Sequence, residues 1–123
     1  MSKQHASGFL ALVDAAKSRI TQLSMVEYPN FTKPHVLVDV REDREWLAGH
    51  VPGAIHLGKG IIERDIEKTI PDKNSCILLY CGGGFRSALV ADVLQQMGYQ
   101  QVISLDGGYS AWTAAGLSIV TPS

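Results

Sequence analysis

Cys76-Ile77-Leu78-Leu79-Tyr80-Cys81-Gly82-Gly83-Gly84-Phe85-Arg86-Ser87 joins an apolar run to a glycine-rich loop and then to a helical stretch. Residues 76–80 are apolar without alternation, the pattern of a strand covered on both faces in a parallel sheet. Ser87 to Met97 reads as a helix, stopped by Gly98. Cys81 therefore stands between a buried strand and a helix start. Glycines let successive main-chain N–H groups curl toward one point, and the helix N-terminus adds unpaired donors and a partial positive charge. Such a loop favours a negatively charged sulfur on Cys81. The main-chain N–H groups of Gly82, Gly83, Gly84, Phe85, Arg86 and Ser87 are the candidate donors. Arg86 closes the loop and is expected to hold an anionic donor or leaving group, while the Ser87 hydroxyl caps the helix or donates to the sulfur.

Working outward, Val36-Leu37-Val38-Asp39-Val40 is a second buried strand, and Ala54 to Leu57 and Val102 to Leu105 are shorter ones. Phe9, Leu12, Val13, Ala16 and Ile20 fall at helical spacing, so residues 6–18 read as an amphipathic helix. Ile20 to Leu23 reads as a first strand, and Ser24 as the cap of a short turn ended by Pro29. Further helical segments are Glu42 to Ala48, Ile61 to Ile70 and Tyr109 to Ala115, bounded by Gly49, Pro71 and Gly116. Strands alternating with helices predict an α/β layered domain with a mainly parallel sheet.

The 123 residues fit one domain, 1–123. A chain of this size buries roughly two-thirds of the surface it exposes when unfolded. With 19% charged residues and a formal net charge of −1, no general field recruits nucleic acid or an anionic membrane. Phe9 to Val13 is too short for a signal-peptide core and nothing approaches a membrane span. Cys76 and Cys81 lie on what reads as one strand, roughly 16 Å apart when extended, too far for a disulfide. Two free thiols suit a reducing cytosol, so a cytoplasmic location is expected, with Cys76 read as core.

Three separated segments together resemble the rhodanese family of sulfurtransferase-like domains. Val38-Asp39-Val40-Arg41-Glu42 with Glu45-Trp46, followed by Gly49-His50-Val51-Pro52-Gly53-Ala54-Ile55, is similar to its first signature. Tyr80-Cys81 through Ser87 is similar to its active-site loop. Leu105-Asp106-Gly107-Gly108-Tyr109-Ser110-Ala111-Trp112, with Gly116-Leu117, is similar to its C-terminal signature. The ordered set covers about residues 20–120. The resemblance implies a rhodanese-like three-layer sandwich and a sulfurtransferase whose catalytic residue, Cys81, takes sulfane sulfur from thiosulfate or a persulfide donor. It then passes the sulfur to a thiol, including a protein acceptor, or to cyanide in vitro. That is covalent catalysis in two half-reactions, with no cofactor and no metal.

Members of the family that use thiosulfate often carry a cation just after the cysteine, where this chain has Gly82. Thiosulfate is then expected to be a poor substrate, and a persulfide donor the better one. Cysteine-dependent phosphatases and arsenate reductases place the loop arginine six positions after the cysteine, whereas Arg86 follows Cys81 by five, a loop better sized for sulfur than for phosphate. A non-catalytic or redox-sensing interaction module is the other alternative.

Among the supporting residues, Asp39 is expected to hold loop backbone, Arg41 to pair with Glu45, and His50 to fix its turn by a backbone hydrogen bond. His5, His35 and His56 show no metal-ligand spacing. Gly107-Gly108 reads as a tight turn, and the Gly-Gly-Gly loop lacks the Lys-Ser/Thr ending of a nucleotide-binding loop. Trp46 and Trp112 read as core or near-core aromatics. Glu63-Arg64-Asp65 with Glu67-Lys68 reads as a solvated helix face or a rim of the site.

Overall fold

Alternate side chains of one strand divide the core in two. In the computed structural model, which describes residues 5–122, that strand is β4, Cys76–Tyr80. Ile77 and Leu79, with Cys81 beyond them, enter one apolar cluster, while Cys76, Leu78 and Tyr80 enter another. This is the two-residue period of an extended chain with both faces covered.

The remaining strands are β1 (Thr21–Ser24), β2 (Val36–Asp39), β3 (Ile55–His56) and β5 (Gln101–Asp106). They assemble in the order β1-β5-β4-β2-β3, and every pairing between them is parallel. The helices are α1 (Ser7–Lys17), α2 (Asp43–Ala48), α3 (Ile62–Thr69), α4 (Phe85–Gln96) and α5 (Gly108–Ala114). Ile62 and Ile66 of α3 and Val90, Ala91 and Leu94 of α4 cover one sheet face. Trp112 of α5, with Met25 and Val51, covers the other. The three-layer α/β arrangement is thus as expected, with α1 laid against α4 through the buried Val13 and Ala16.

The elements differ from their expected bounds mostly at the ends. β1 lies one residue later than expected, and β5 extends to the polar Gln101 and Asp106, which pairing to its neighbours keeps in the ladder. α4 begins at Phe85, two residues earlier, because Gly84 takes φ +96 and acts as its N-cap. A Cβ at Gly84 would sit 3.2 Å from the Gly107 main-chain nitrogen, so this turn needs both glycine's backbone freedom and its small size. The Glu63-Arg64-Asp65 cluster lies on α3, where Arg64 pairs with Asp65 at 2.7 Å, outside the lining of the Cys81 cleft. Trp112 is buried, and Trp46 is half-buried between the stacked rings of His50 and His56, with centroids at 3.4 and 5.0 Å.

Candidate active site

The parallel sheet sends the C-terminal ends of β2, β4 and β5 to one edge, and the site residues gather there. Cys81 follows β4 directly. Its Sγ accepts the N–H of Gly84 at 3.2 Å and of Ser87 at 3.4 Å, and the thiol faces the Ser87 hydroxyl at 3.6 Å. Of the six amides expected to surround the sulfur, these two reach Sγ itself. The N–H groups of Gly82, Gly83, Phe85 and Arg86 meet no acceptor among the described residues. Ser87 does not cap α4, since it lies inside the helix and its hydroxyl is engaged by Ser104 at 2.8 Å.

The loop is clamped from behind. Tyr109 N–H donates to the Cys81 carbonyl at 2.8 Å and Ser110 N–H to the Gly82 carbonyl at 2.9 Å. These bonds use two of the unpaired donors at the start of α5. They turn the loop carbonyls away, toward α5.

Although Cys81 is only 1% exposed, it lines a cleft of about 720 Å³. One wall is aromatic: Phe9 and His5 meet Phe85, with His5 and Phe85 centroids 4.4 Å apart. The other wall is charged, with Glu42, Arg44, Glu45 and Arg86.

Two of the expected pairings differ. Arg41 bonds Asp39 rather than Glu45, through Nη2 to Oδ2 at 2.8 Å and Nε to both oxygens at 3.1 Å. Arg41 precedes α2, so the four-residue spacing that would align it with Glu45 on a helix does not apply; two residues of extended chain instead put it beside Asp39. Asp39 also accepts the Arg41 N–H at 2.8 Å, and Arg41 donates to the Gly49 carbonyl at 2.6 Å. The pair is fully buried, and Arg41 stacks over Tyr109 at 4.0 Å. It ties the end of β2 to the turn after α2. Within that turn His50 exchanges main-chain bonds with Val120 at 2.9 Å, and its ring Nδ1 lies 3.4 Å from the Trp46 carbonyl.

Glu45 pairs with Arg86, Oε1 to Nη1 at 2.8 Å and Oε2 to Nη2 at 3.2 Å. Arg86 thus takes the Glu45 partner that was expected for Arg41. The guanidinium, then burial working against it, then the Glu42 N–H set the Glu45 carboxyl, which is held down to about 2. Glu45 also closes a capping box at the start of α2 through the Glu42 N–H. Behind the site, burial first and then the Asp39 charge push the Tyr80 hydroxyl up, and it accepts the Val51 N–H at 3.0 Å.

The aromatic wall from α1 and the Glu45–Arg86 bridge were not legible as site features, since neither has a local sequence signal. Cys76 is buried and free. Among the described residues no group of three His, Cys, Asp or Glu side chains is placed to hold a metal ion, and no helix is long and apolar enough to cross a membrane.

The profile of the Rhodanese-like domain matches residues 24–115. The chain belongs to the rhodanese-like domain family. This rhodanese-like chain is 35% identical over 91 residues to a sulfurtransferase of Allochromatium vinosum, an overlap of 74% of this chain and 83% of that protein. Among solved structures it is similar to a Rhodopseudomonas palustris protein described as of unknown function and a possible tyrosine phosphatase, at 30% identity and TM-score 0.78, covering 98% of this chain and 99% of the other. It is also similar to a rhodanese-like domain protein of Staphylococcus aureus, at 30% identity and TM-score 0.74, covering 85% and 100%.

Proposed function

We propose that this rhodanese-like domain is a sulfurtransferase that carries sulfane sulfur as a persulfide on Cys81. The Cys81 thiolate attacks the outer sulfur of thiosulfate or of an organic persulfide. The donor S–S bond breaks, sulfite or the donor thiolate leaves with the electron pair, and a new S–S bond forms on Cys81. A thiol acceptor, small or on a protein, then takes the outer sulfur and restores the Cys81 thiolate.

The observation that carries this reading is the pair of main-chain N–H groups, Gly84 and Ser87, converging on the sulfur of Cys81, a residue that lines the cleft. The Cys81 thiolate that attacks the donor, and that is restored when the sulfur is passed on, lies among these fixed dipoles, which need no reorganisation when the charge returns to Sγ. The family and the sulfurtransferase relative support the reaction class.

The phosphatase alternative is disfavoured by loop length: Arg86 follows Cys81 by five positions, a loop tighter than one built for a tetrahedral phosphate. The test is the intact mass of the reduced protein after incubation with thiosulfate and, separately, with a persulfide donor. One added sulfur atom is expected on the wild type and none on Cys81→Ser. A missing adduct on the wild type with both donors, or its survival in Cys81→Ser, overturns the assignment.

A further inference from the structure

We propose that Glu45 sets the donor selectivity of the Cys81 site, holding Arg86 in a closed ion pair so that the cleft favours organic persulfides of low charge over dianionic thiosulfate. The proposal rests on the sulfurtransferase reading above and deepens it to a donor class.

Each cation of the charged wall already has a carboxylate partner. Arg86 is joined to Glu45 at both terminal nitrogens, and Arg44 to Glu42 at 3.0 Å. The charges of this wall therefore cancel. Lys17 lies against the Phe85 ring at 5.2 Å, outside the cleft lining. A dianion entering beside Cys81 meets a guanidinium whose charge is already balanced by Glu45, and it meets the Glu45 carboxylate itself.

The bridge is built into the loop. A Cβ at position 82 would sit 3.2 Å from Arg86 Nη2, so the guanidinium lies over Gly82, the residue adjoining the nucleophile. Glu45 in turn is gripped from its own helix by the Glu42 N–H at 3.1 Å. With its carboxyl held down to about 2, it keeps its charge throughout the neutral range. Freeing Arg86 for an anion means breaking a two-point bridge whose acidic half is anchored independently.

The rest of the lining has a different character. Phe9 and Phe85 offer apolar surface to the body of an organic donor. Such a donor presents one sulfur to the Gly84 and Ser87 amides and has no second anionic group to place.

The experiment compares single-turnover loading of Cys81, read by intact mass, from thiosulfate and from N-acetylcysteamine persulfide. It uses wild type, Glu45→Gln, Glu45→Asp and the double variant Glu45→Gln with Arg86→Leu. Wild type is expected to load faster from the organic persulfide. Glu45→Gln removes the charge at constant shape, and the thiosulfate-to-persulfide ratio of kcat/KM rises about tenfold, through a lower thiosulfate KM. That gain weakens as salt is added. Glu45→Asp keeps the charge but is one methylene shorter, so its ratio falls between wild type and Glu45→Gln, and removing Arg86 as well abolishes the gain. A ratio that does not move in Glu45→Gln, or a gain that survives without Arg86, overturns the selectivity proposal while leaving the persulfide reading standing. If neither donor places sulfur on wild-type Cys81, the sulfurtransferase reading itself falls, and the selectivity proposal falls with it.

Discussion

Glu45 is gripped from two directions, by the Glu42 N–H of its own helix and by the guanidinium of Arg86 on a different one. Because the bridge depends on the ionised carboxyl, it makes acid stability a readout of the site. In the folded chain the Glu45 carboxyl titrates at about 2, against an ordinary 4.5. A folded value below the unfolded one means that the stabilisation is complete above the unfolded value and is lost as pH falls through the folded value. The Tm advantage of wild type over Glu45→Gln is therefore expected to hold from neutrality down to about pH 5 and to close as pH approaches about 2. A gap that stays constant over that range contradicts the bridge. Thermal melts across a pH series check it.

The start of α5 performs a second kind of work, pressing on the back of the Cys81 loop. Gly108 has φ +51, and a Cβ there would lie 2.3 Å from the Cys81 carbonyl oxygen. Gly108→Ala is expected to cost about 2–4 kcal/mol, because it combines an unfavourable backbone angle with a clash against main chain. Gly116→Ala, also at positive φ but facing open space, isolates the backbone contribution at about 1–2 kcal/mol. Equal losses for the two, measured by chemical denaturation, contradict the clamp. Sequence reading recognised Gly107-Gly108 as a turn because its cues are adjacent in the chain. The β4–loop–α4 unit was legible for the same reason: strand, cysteine, glycines and helix occupy one continuous stretch. Glu45 and Arg86 stand 41 positions apart, and Phe9 reaches the cleft only because α1 folds over α4. Contacts of that range leave no periodicity to read, and the expected Arg41–Glu45 pair applied helix spacing to a residue still in extended chain.

The parallel sheet converts these local pieces into a single site. From β2 the chain proceeds outward to β3, whereas β4 is followed by β5 on the other side. The connections leaving β2 and β4 thus run to opposite sides of the sheet at the place where Cys81 emerges, the position at which open α/β sheets leave a crevice for ligands. The buried Asp39–Arg41 pair packs on Tyr109 of α5, and α5 in turn holds the back of the Cys81 loop, so that Cys81 lines a cleft with aromatic and charge-balanced parts. On the proposed function, Cys81 alternates between thiolate and persulfide in this crevice. The most direct test of that cycle is discharge of a loaded and purified protein: sulfur is installed from a persulfide donor, the donor is removed, and cyanide is added while mass and thiocyanate are followed. The account predicts one extra sulfur on Cys81, lost on addition of cyanide with one thiocyanate formed per loaded chain. An adduct that resists cyanide, or one carried by Cys76, would contradict it.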